Sequence, residues 1–255
     1  MKLIPLRFQP DKDHIDITVI SDLHCGASSF NQRKALKHRD FILAEPDRYC
    51  IDLGDTFDNT LKSSIGNVYE NTLTPSEQRS WVKEYYRPVN DRLLAVCESN
   101  HSERSVRDSD FSPQEWLSDI TGSAFIRYQA VLAVTVGDSA KGQTYLLHLW
   151  HGSTAAQTDG GLLNALLRLP VRVQGCHAYL SGHAHRWVHH TSTCFIPDAR
   201  HRKIKHFEQH VICNGSFLDY DATYAEAKGY QVPTSGMANL RLYRDEFQID
   251  VERLV

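Results

Sequence analysis

Short runs of apolar residues, separated by polar and turn-forming segments, dominate the first half of the chain. Residues 15–20 alternate β-branched with polar side chains, and residues 50–53 form a second apolar run that stops at Gly54. Between them, residues 31–44 place apolar side chains at helical spacing after Asn31, which can cap a helix. A strand, a helix and a strand in this order predict two parallel strands in one sheet.

Two helix starts share one local signal: a capping hydroxyl, a proline at the first helical position and a glutamate three residues after the cap. They lie at residues 74–77 and 112–115. The first predicts a helix that Pro88 kinks or ends, and an apolar run at 93–97 predicts the next strand. Residues 59–73 are polar and lack periodicity, which predicts a surface loop. Residues 59–92 would then form a helical and loop insertion.

The second half of the chain is richer in strand-like runs. They lie at residues 130–136, 144–150, 178–180, 187–195, 205–213, 237–243 and 246–251. Residues 160–169 predict a short apolar helix that Pro170 stops, and the last four runs predict a second, more antiparallel sheet. We therefore predict an α/β fold. A single domain over residues 1–255 would form a sandwich of two mixed sheets flanked by helices.

Composition narrows the class of protein only a little. The 255 residues carry 28 Lys and Arg against 31 Asp and Glu, a formal net charge of −3, and no block of like charge stands out. This balance gives no support to nucleic acid as a partner. Six cysteines without a C-x-x-C pair indicate reduced thiols. With no long apolar stretch, we expect a soluble, cytoplasmic protein without membrane contact, and the oligomeric state stays open.

Polar motifs stand at the ends of five strand-like runs, where open α/β sheets place their ligands. The motifs are Asp22-Leu23-His24, Gly54-Asp55, Asn100-His101, His151-Gly152 and Gly182-His183-Ala184-His185. Residues two positions apart at an extended strand end point to one side, so Asp22 and His24 can face one ion. His183 and His185 have the same spacing. Each motif alone is more often an ordinary strand end or turn, but five together favour a site.

The side chains of these motifs are the ligands of a transition metal. They offer two carboxylates, one amide oxygen and four imidazoles, with no thiolate, which suits Mn²⁺, Fe or Zn²⁺ better than Ca²⁺ or a structural zinc. Seven ligands are too many for one tetrahedral ion. Two ions that share the Asp55 carboxylate and a bridging hydroxide fit the number, and such pairs are typical of phosphoryl chemistry.

The order of the motifs, from residue 22 to residue 185, resembles the calcineurin-like metallophosphoesterase superfamily. Asn-His-Ser-x-Arg, at residues 100–104, is similar to phage and prophage members of that superfamily. The resemblance implies a four-layer αββα fold and two divalent cations, with Mn²⁺ as the first choice and Fe or Zn²⁺ as alternatives. It implies that the first ion is held by Asp22, His24, Asp55 and His185. It implies that the second is held by Asp55, Asn100, His151 and His183.

The same resemblance assigns the reaction and its residues. It implies hydrolysis of phosphate mono- or diesters, in which a hydroxide that bridges the two ions attacks phosphorus, while the Asp55 carboxylate also bridges the ions. His101 would contact the phosphate and assist the leaving group, and Asn100 would also bind substrate. We expect Arg104 to reach a substrate phosphate. The substrate itself stays open.

One position departs from the pattern of the superfamily, in which an acidic residue usually follows the histidine that corresponds to His101. Here Ser102 follows, and Glu103 comes one place later. An acidic neighbour would support the cationic form of the imidazole. Either Glu103 takes that role, or Ser102 does so weakly, or His101 is a less effective acid.

Two other functions and two local alternatives remain beside this hypothesis. A DNA exonuclease or endonuclease would need a basic surface that the net charge does not indicate, and a non-catalytic scaffold would usually have lost ligands that are all present here. Cys25 could be a further ligand or a redox switch, but a buried thiol is the favoured interpretation. Trp81, Tyr85 and Tyr86 could form an exposed platform that stacks bases; we favour a position in the core.

Overall fold

The computed structural model describes residues 1–62, 68–138, 142–156, 158–221, 226, 229 and 231–255. Its strands, in chain order, are β1 (Lys2–Phe8), β2 (His14–Ile20), β3 (Arg48–Asp52), β4 (Leu93–Cys97), β5 (Ala124–Ile126), β6 (Gln129–Val136), β7 (Gln143–Trp150), β8 (Ala178–Ser181), β9 (Val188–Asp198), β10 (Lys203–Cys213), β11 (Met237–Tyr243) and β12 (Ile249–Leu254). Its α-helices are α1 (Gln32–Leu43), α2 (Pro75–Tyr86), α3 (Asn100–Ser109), α4 (Pro113–Thr121), α5 (Asp159–Leu166) and α6 (Leu169–Arg172). Short 3-10 helices cover Val68–Glu70 and Arg87–Arg92.

The strands form two six-stranded mixed sheets. The first has the order β1-β6-β7-β8-β10-β9 and the second the order β12-β11-β2-β3-β4-β5. In the second sheet, β2, β3, β4 and β5 are parallel, as the strand-helix-strand pattern predicted. In the first sheet, β7, β8 and β10 are parallel to one another. Each parallel set delivers its carboxyl ends to one edge of its sheet.

The apolar core has three parts that define four layers. The largest cluster joins side chains of both sheets. A second cluster lies between the second sheet and helices α1, α2 and α4, and a third lies between the first sheet and α5. Tyr85 and Tyr86 are buried in the second cluster, with Trp81 packed against it, which confirms the core interpretation. The predicted sandwich of two mixed sheets flanked by helices is therefore confirmed.

Local signals placed the helix starts correctly. The Asn31 side chain accepts a hydrogen bond from the backbone N–H of Lys34, 2.9 Å away. Thr74 and Glu77 form the reciprocal capping box at the start of α2. Side-chain oxygens satisfy backbone donors that the first helical turn leaves unpaired, so these residue types fix where a helix begins.

Several predictions about the chain were wrong. The four late strands do not form a separate sheet: β9 and β10 extend the first sheet, whereas β11 and β12 extend the second. The last strand is Ile249–Leu254 rather than 246–251, and the helix predicted at 160–169 ends at Leu166. Strand periodicity identifies a strand but not its partner, because pairing is decided by contacts far apart in the chain.

Two elements had no strong signal in the sequence. Strand β1 carries Pro5 and two basic residues, which is typical of an edge strand rather than of a core run. Helix α3 buries only Ser102 and Ser105, so it has no apolar stripe. The surface loop predicted at 59–73 is partly wrong, since Asn59 and Thr60 are buried, and residues 63–67 of it lie outside the described residues.

None of the described helices is long and apolar enough to cross a bilayer. Five of the six cysteines are buried and only Cys194 is exposed; all are free thiols.

Candidate metal centre

The carboxyl ends of five strands meet between the two sheets, and all seven predicted ligand side chains lie there. Strands β2, β3 and β4 deliver their ends from the second sheet, and β7 and β8 deliver theirs from the first. The ligands fall into two groups that share Asp55. The structure thus brings together residues that are more than 160 positions apart.

The first group consists of Asp22, His24, Asp55 and His185, whose ligand atoms all lie within 4.8 Å of one another. His185 Nε2 is 3.3 Å from an oxygen of Asp22. His24 Nε2 lies 3.7 Å from Asp55 and 3.0 Å from the Nε2 of His185. Two imidazole nitrogens and two carboxylates therefore converge on one small volume.

The second group consists of Asp55, His151 and His183. An oxygen of Asp55 is 3.3 Å from His151 Nε2. The amide oxygen of Asn100, at the start of α3, lies 2.9 Å from His151 Nε2 and 3.0 Å from His183 Nδ1. Because Asp55 belongs to both groups, its carboxylate stands between two sets of donors.

The hydrogen bonding of His151 tests whether a cation fits here. Its Nδ1–H donates to the carbonyl of Leu53 at 2.9 Å, so Nε2 of the neutral ring carries a lone pair. That lone pair faces the oxygens of Asn100 and Asp55, which are acceptors as well. Acceptors that face one another in a buried site require a proton or a metal ion between them. The donor set of nitrogen and oxygen atoms fits Mn²⁺, Fe or Zn²⁺.

The carboxylates and imidazoles of this site strongly shift one another's pKa values. Burial opposes ionisation of Asp55, but His101, His151 and His24 outweigh it and hold the pKa of this carboxyl well below its usual range. Burial likewise disfavours a charge on His151, yet Asp55 raises its pKa to about 9. A positive charge at this position, from a proton or from a metal ion, is therefore favoured by the surrounding carboxylates. Metal binding would release that proton.

Backbone strain is concentrated at the predicted ligands. Among the described residues, eight non-glycine residues have a positive φ, and five of these are predicted ligands. They are Asp22, His24, Asp55, His183 and His185, with φ between 48° and 68°. A side chain disfavours this left-handed conformation, and such residues persist where the surroundings impose it. Here the strand-end loops bond to one another: the N–H of Asp22 donates to the carbonyl of Gly54, and the N–H of His24 donates to that of Asp55.

Gly182 allows the two sheets to approach at the site. A Cβ at this position would overlap the side chains of Ser21 and Asp22. The next backbone N–H, that of His183, lies 3.1 Å from both oxygens of the Asp22 carboxylate and donates to it. The motif therefore supplies more than two imidazoles, because its glycine and its backbone also position the first carboxylate.

Asp58 is a residue of the site that the sequence analysis missed. It is buried, and one oxygen of its carboxylate lies 3.6 Å from His24 Nδ1 and 3.9 Å from His101 Nδ1. Burial opposes its ionisation, but His24 and His101 lower the pKa of Asp58 far below its usual value. It follows Asp55 by three positions, so the spacing of two carboxylates in one loop was the available signal.

His101 has a different environment from the one expected for it. Its Nδ1–H donates to the backbone carbonyl of Asp58 at 2.6 Å, and the Arg104 guanidinium donates to its Nε2 at 3.0 Å. Burial lowers the pKa of His101 to about 4, with Asp55 opposing. The ring is therefore neutral, with its proton on Nδ1.

The departure after His101 is resolved by neither expected residue. Glu103 is paired with Arg107 at 3.3 Å, and Ser102 is buried with its hydroxyl 3.1 Å from that of Ser112. Because both side chains bond elsewhere, neither of these two alternatives is supported, and the third, that His101 is a less effective acid, stays a prediction. Asp58 and Arg104 are the polar neighbours instead.

A second buried polar layer lies beneath the ligands. The Asp52 carboxylate accepts hydrogen bonds from the N–H of Gly54 at 2.7 Å, from the hydroxyl of Thr56 at 2.5 Å and from that of Tyr86 at 2.6 Å. Gln114 donates to the Thr56 hydroxyl at 3.0 Å. This network, which we call the Asp52 network, ties the turn that carries Asp55 to helices α2 and α4.

Cys25 is not a ligand. Its side chain is fully buried, and burial raises the pKa of the thiol to about 12, so it stays protonated. The interpretation of Cys25 as a buried thiol is confirmed.

No protein-family model matches the sequence, and no curated protein matches it. Solved structures with a similar fold include a metallophosphoesterase, a calcineurin-like phosphoesterase and a Vps29 protein. A metallophosphoesterase from Sphaerobacter thermophilus is 12% identical, with 95% of this chain and 88% of that chain covered and a TM-score of 0.43. The calcineurin-like phosphoesterase YfkN from Bacillus subtilis is 13% identical, with 94% and 88% covered and a TM-score of 0.41. A double mutant of Vps29 from Entamoeba histolytica is 12% identical, with 94% and 100% covered and a TM-score of 0.40. At these identities the similarity concerns the fold, and the activity has to be argued from the site.

Proposed function

We propose that this protein is a metal-dependent hydrolase of phosphate mono- or diesters with two divalent cations. The observation that supports it is the position of Asp55, whose carboxylate belongs to both groups of converging ligands. Two ions at such a centre would lower the pKa of water and neutralise the charge on a phosphoryl group. Mn²⁺ is our first choice, with Fe and Zn²⁺ as alternatives. Asp22, His24, Asp55 and His185 would hold one ion, and Asp55, Asn100, His151 and His183 the other.

The side chains around the centre have roles that follow from their contacts. The Arg104 guanidinium donates to the Nε2 of His101. A substrate phosphate would attract the guanidinium, because charge-assisted pairing with phosphate is stronger than a hydrogen bond to a neutral imidazole. The Nε2 of His101 would then be free to take up a proton from solvent and to donate it to the leaving oxygen. Asp58, beside the imidazoles of both His24 and His101, would keep them oriented.

The test is reconstitution of the metal-free protein with Mn²⁺, Fe²⁺ or Zn²⁺, followed by a panel of substrates. The panel contains a phosphate monoester, a phosphate diester, nucleotides, and single- and double-stranded DNA. We expect turnover of at least one ester and two metal ions per chain by elemental analysis. Absence of both would refute the hydrolase and favour a scaffold, whereas cleavage of DNA alone would identify a nuclease.

Two variants separate metal binding from chemistry. Asp55→Asn should abolish turnover and lower the metal content, because the shared carboxylate is lost. His101→Gln should lower the rate by roughly 10²- to 10⁴-fold, the usual contribution of an acid or base, with both ions retained. Loss of metal from His101→Gln, or full activity of Asp55→Asn, would contradict these assignments.

A further inference from the structure

Helix α3 begins with the predicted ligand Asn100 and with His101, yet it lacks the features that usually hold a helix in place. Its N-cap, Ser99, makes no side-chain cap bond, and the buried residues of the helix are two serines, Ser102 and Ser105. Most of the stability of a helix in a protein comes from an apolar face that packs on the core. The position of His101 therefore depends on polar contacts with other segments.

The loop after β3 is such a segment, and it holds His101 at three points. The backbone N–H of His101 donates to the carboxylate of Asp55 at 3.2 Å. The ring Nδ1–H donates to the carbonyl of Asp58 at 2.6 Å, and the carbonyl of His101 accepts from the side-chain amide of Asn59 at 2.8 Å. Two consecutive loop residues thus hold the ring and the backbone of one histidine, whose Nε2 lies 4.0 Å from an oxygen of Asp55.

Asn59 is the member of this loop that the metal centre does not explain. It is buried, and its φ of 48° lies in the left-handed region. Asparagine tolerates this conformation, but such strain persists where the surroundings impose it, and it is concentrated at functional sites. Here the backbone N–H of Asn59 donates to the side-chain oxygen of Gln78 in α2 at 3.1 Å. The Gln78 side chain in turn packs against Gly26, where a Cβ would overlap it.

The amide of Asn59 uses all its hydrogen-bonding groups on α3. Its Nδ2 donates to the carbonyl of His101 and to the hydroxyl of Ser105 at 2.7 Å, and that hydroxyl donates to Oδ1 at 2.9 Å. His101 and Ser105 are about one helical turn apart, so one amide holds the first turn of the helix. A carbonyl can only accept, so the amide nitrogen has to face His101. An aspartate of nearly the same shape would place a second acceptor there.

We propose that Asn59 is a positioning residue for His101. Its amide holds the first turn of α3, so that the ring keeps its Nδ1–H on the Asp58 carbonyl and its Nε2 beside Asp55. The catalytic consequence rests on the function proposed above, whereas the geometry rests on the hydrogen bonds alone. Without the amide, one of the points that fix His101 is lost although every metal ligand remains. A displacement of a reacting group by about 1 Å can cost roughly 10²-fold in rate.

Steady-state kinetics and metal analysis of two variants test the role of the amide. Asn59→Asp keeps the shape and the tolerance of a left-handed backbone but replaces the donor with an acceptor, and Asn59→Gly removes the side chain and relieves the strain. Both should lower kcat by up to roughly 10²-fold, with KM little changed and both metal ions retained. Ser109→Ala, at an exposed serine of the same helix, is the matched control and should leave kcat unchanged.

A double-mutant cycle separates an action through His101 from a general weakening of the fold. Asn59→Gly should lower kcat little further once His101→Gln has removed the imidazole, because substitutions within one hydrogen-bond network are not additive. Ser105→Ala, which leaves the bond from Asn59 to the His101 carbonyl, should lower kcat less than Asn59→Gly. Equal losses from Asn59→Gly with and without His101→Gln would overturn the proposal. So would a wild-type kcat in Asn59→Asp, or loss of metal from that variant.

The proton on the ring of His101 gives a readout that needs no activity. In the Zn²⁺-loaded protein with isotope-labelled histidine, NMR should show a slowly exchanging Nδ1 proton that His101→Gln removes. This signal should persist in Ser109→Ala and be lost in Asn59→Gly. If the wild-type protein hydrolyses no ester, the proposed function fails, and the ring proton alone decides the positioning role. Absence of the signal from the wild-type protein, or its retention in Asn59→Gly, would refute that role.

Discussion

Two buried polar layers lie one above the other at the carboxyl end of β3, and they satisfy their polar atoms in opposite ways. In the lower layer, the Asp52 network, each oxygen of the Asp52 carboxylate has a donor of its own protein. In the upper layer, the Asp55 carboxylate, the Asn100 oxygen and the ring nitrogen of His151 face one another as acceptors. The upper layer is incomplete without a cation, whereas the lower layer is complete in itself.

The pKa values reflect this difference. Asp52 and Asp55 are three residues apart and both are buried, yet burial raises the pKa of Asp52, whereas three imidazoles lower that of Asp55 despite its burial. Burial alone therefore does not identify a functional carboxylate. A carboxylate that faces neutral donors, such as Asp52, supports the structure around it. A carboxylate that faces other potential ligands, such as Asp55, is a candidate for a functional site.

The largest effect is expected from removing the close approach that allows the upper layer to form. Gly182→Ala places a methyl group in the volume of the Ser21 and Asp22 side chains. Overpacking of this kind costs roughly 1–3 kcal/mol in the free energy of unfolding, and displacement of Asp22 should also weaken metal binding. Urea unfolding and metal titration measure the two effects. Gly160→Ala, where a Cβ has no atom within 4 Å, is the control and should lower neither the free energy of unfolding nor the metal affinity.

Metal removal should act on the upper layer alone. A cation that binds only the folded protein stabilises it by about 2.7 kcal/mol per site when its concentration is a hundred times its dissociation constant. We therefore expect chelation to lower the unfolding temperature, and Asp55→Asn to lose most of this dependence on metal. An unfolding temperature that is insensitive to chelator would mean that the facing acceptors are bridged by protons instead.

Weakening the lower layer should reduce metal affinity without removing a ligand. Asp52→Asn leaves a single acceptor oxygen for three donors, so the turn that carries Asp55 loses support. Substitutions of residues that orient ligands typically cost 10- to 100-fold in metal affinity. Tyr86→Phe removes one of the three donors and should have a smaller effect in the same direction. Calorimetric titration with Mn²⁺ measures both, and unchanged affinity in Asp52→Asn would make the lower layer independent of the site.

The smallest effect concerns a buried imidazole outside both layers. His38 is hydrogen-bonded to Thr18 at 3.2 Å, and burial lowers its pKa from the usual 6.5 to about 4. Below pH 6.5, His38 is protonated in the unfolded chain but stays neutral in the folded protein. Its contribution to the free energy of unfolding is therefore complete above pH 6.5 and is lost as the pH falls towards 4. At pH 5 this loss amounts to about 2 kcal/mol. His38→Gln should flatten the decline between pH 7 and pH 5 and leave the metal-dependent stabilisation unchanged, as measured by urea unfolding at each pH.

Local chemistry allowed much of this protein to be predicted from sequence. The caps at Asn31, Thr74 and Ser112 fix helix starts through bonds that span three residues. The motifs at the strand ends named seven of the side chains that converge. Asp58 and the Asp52 network were missed, because their roles depend on neighbours from other elements, and α3 was missed because it buries serines rather than an apolar stripe.

The sequence by itself determined which residues can ligate a cation and which runs can be strands, since both depend on residue type and on spacing of a few positions. Only the tertiary structure decided which strands pair, that His101 rests on Asp58 and Arg104 rather than on Ser102 or Glu103, and that five predicted ligands have a left-handed backbone. These features arise from contacts between segments that are distant in the chain, and periodicity over a few residues does not predict such contacts.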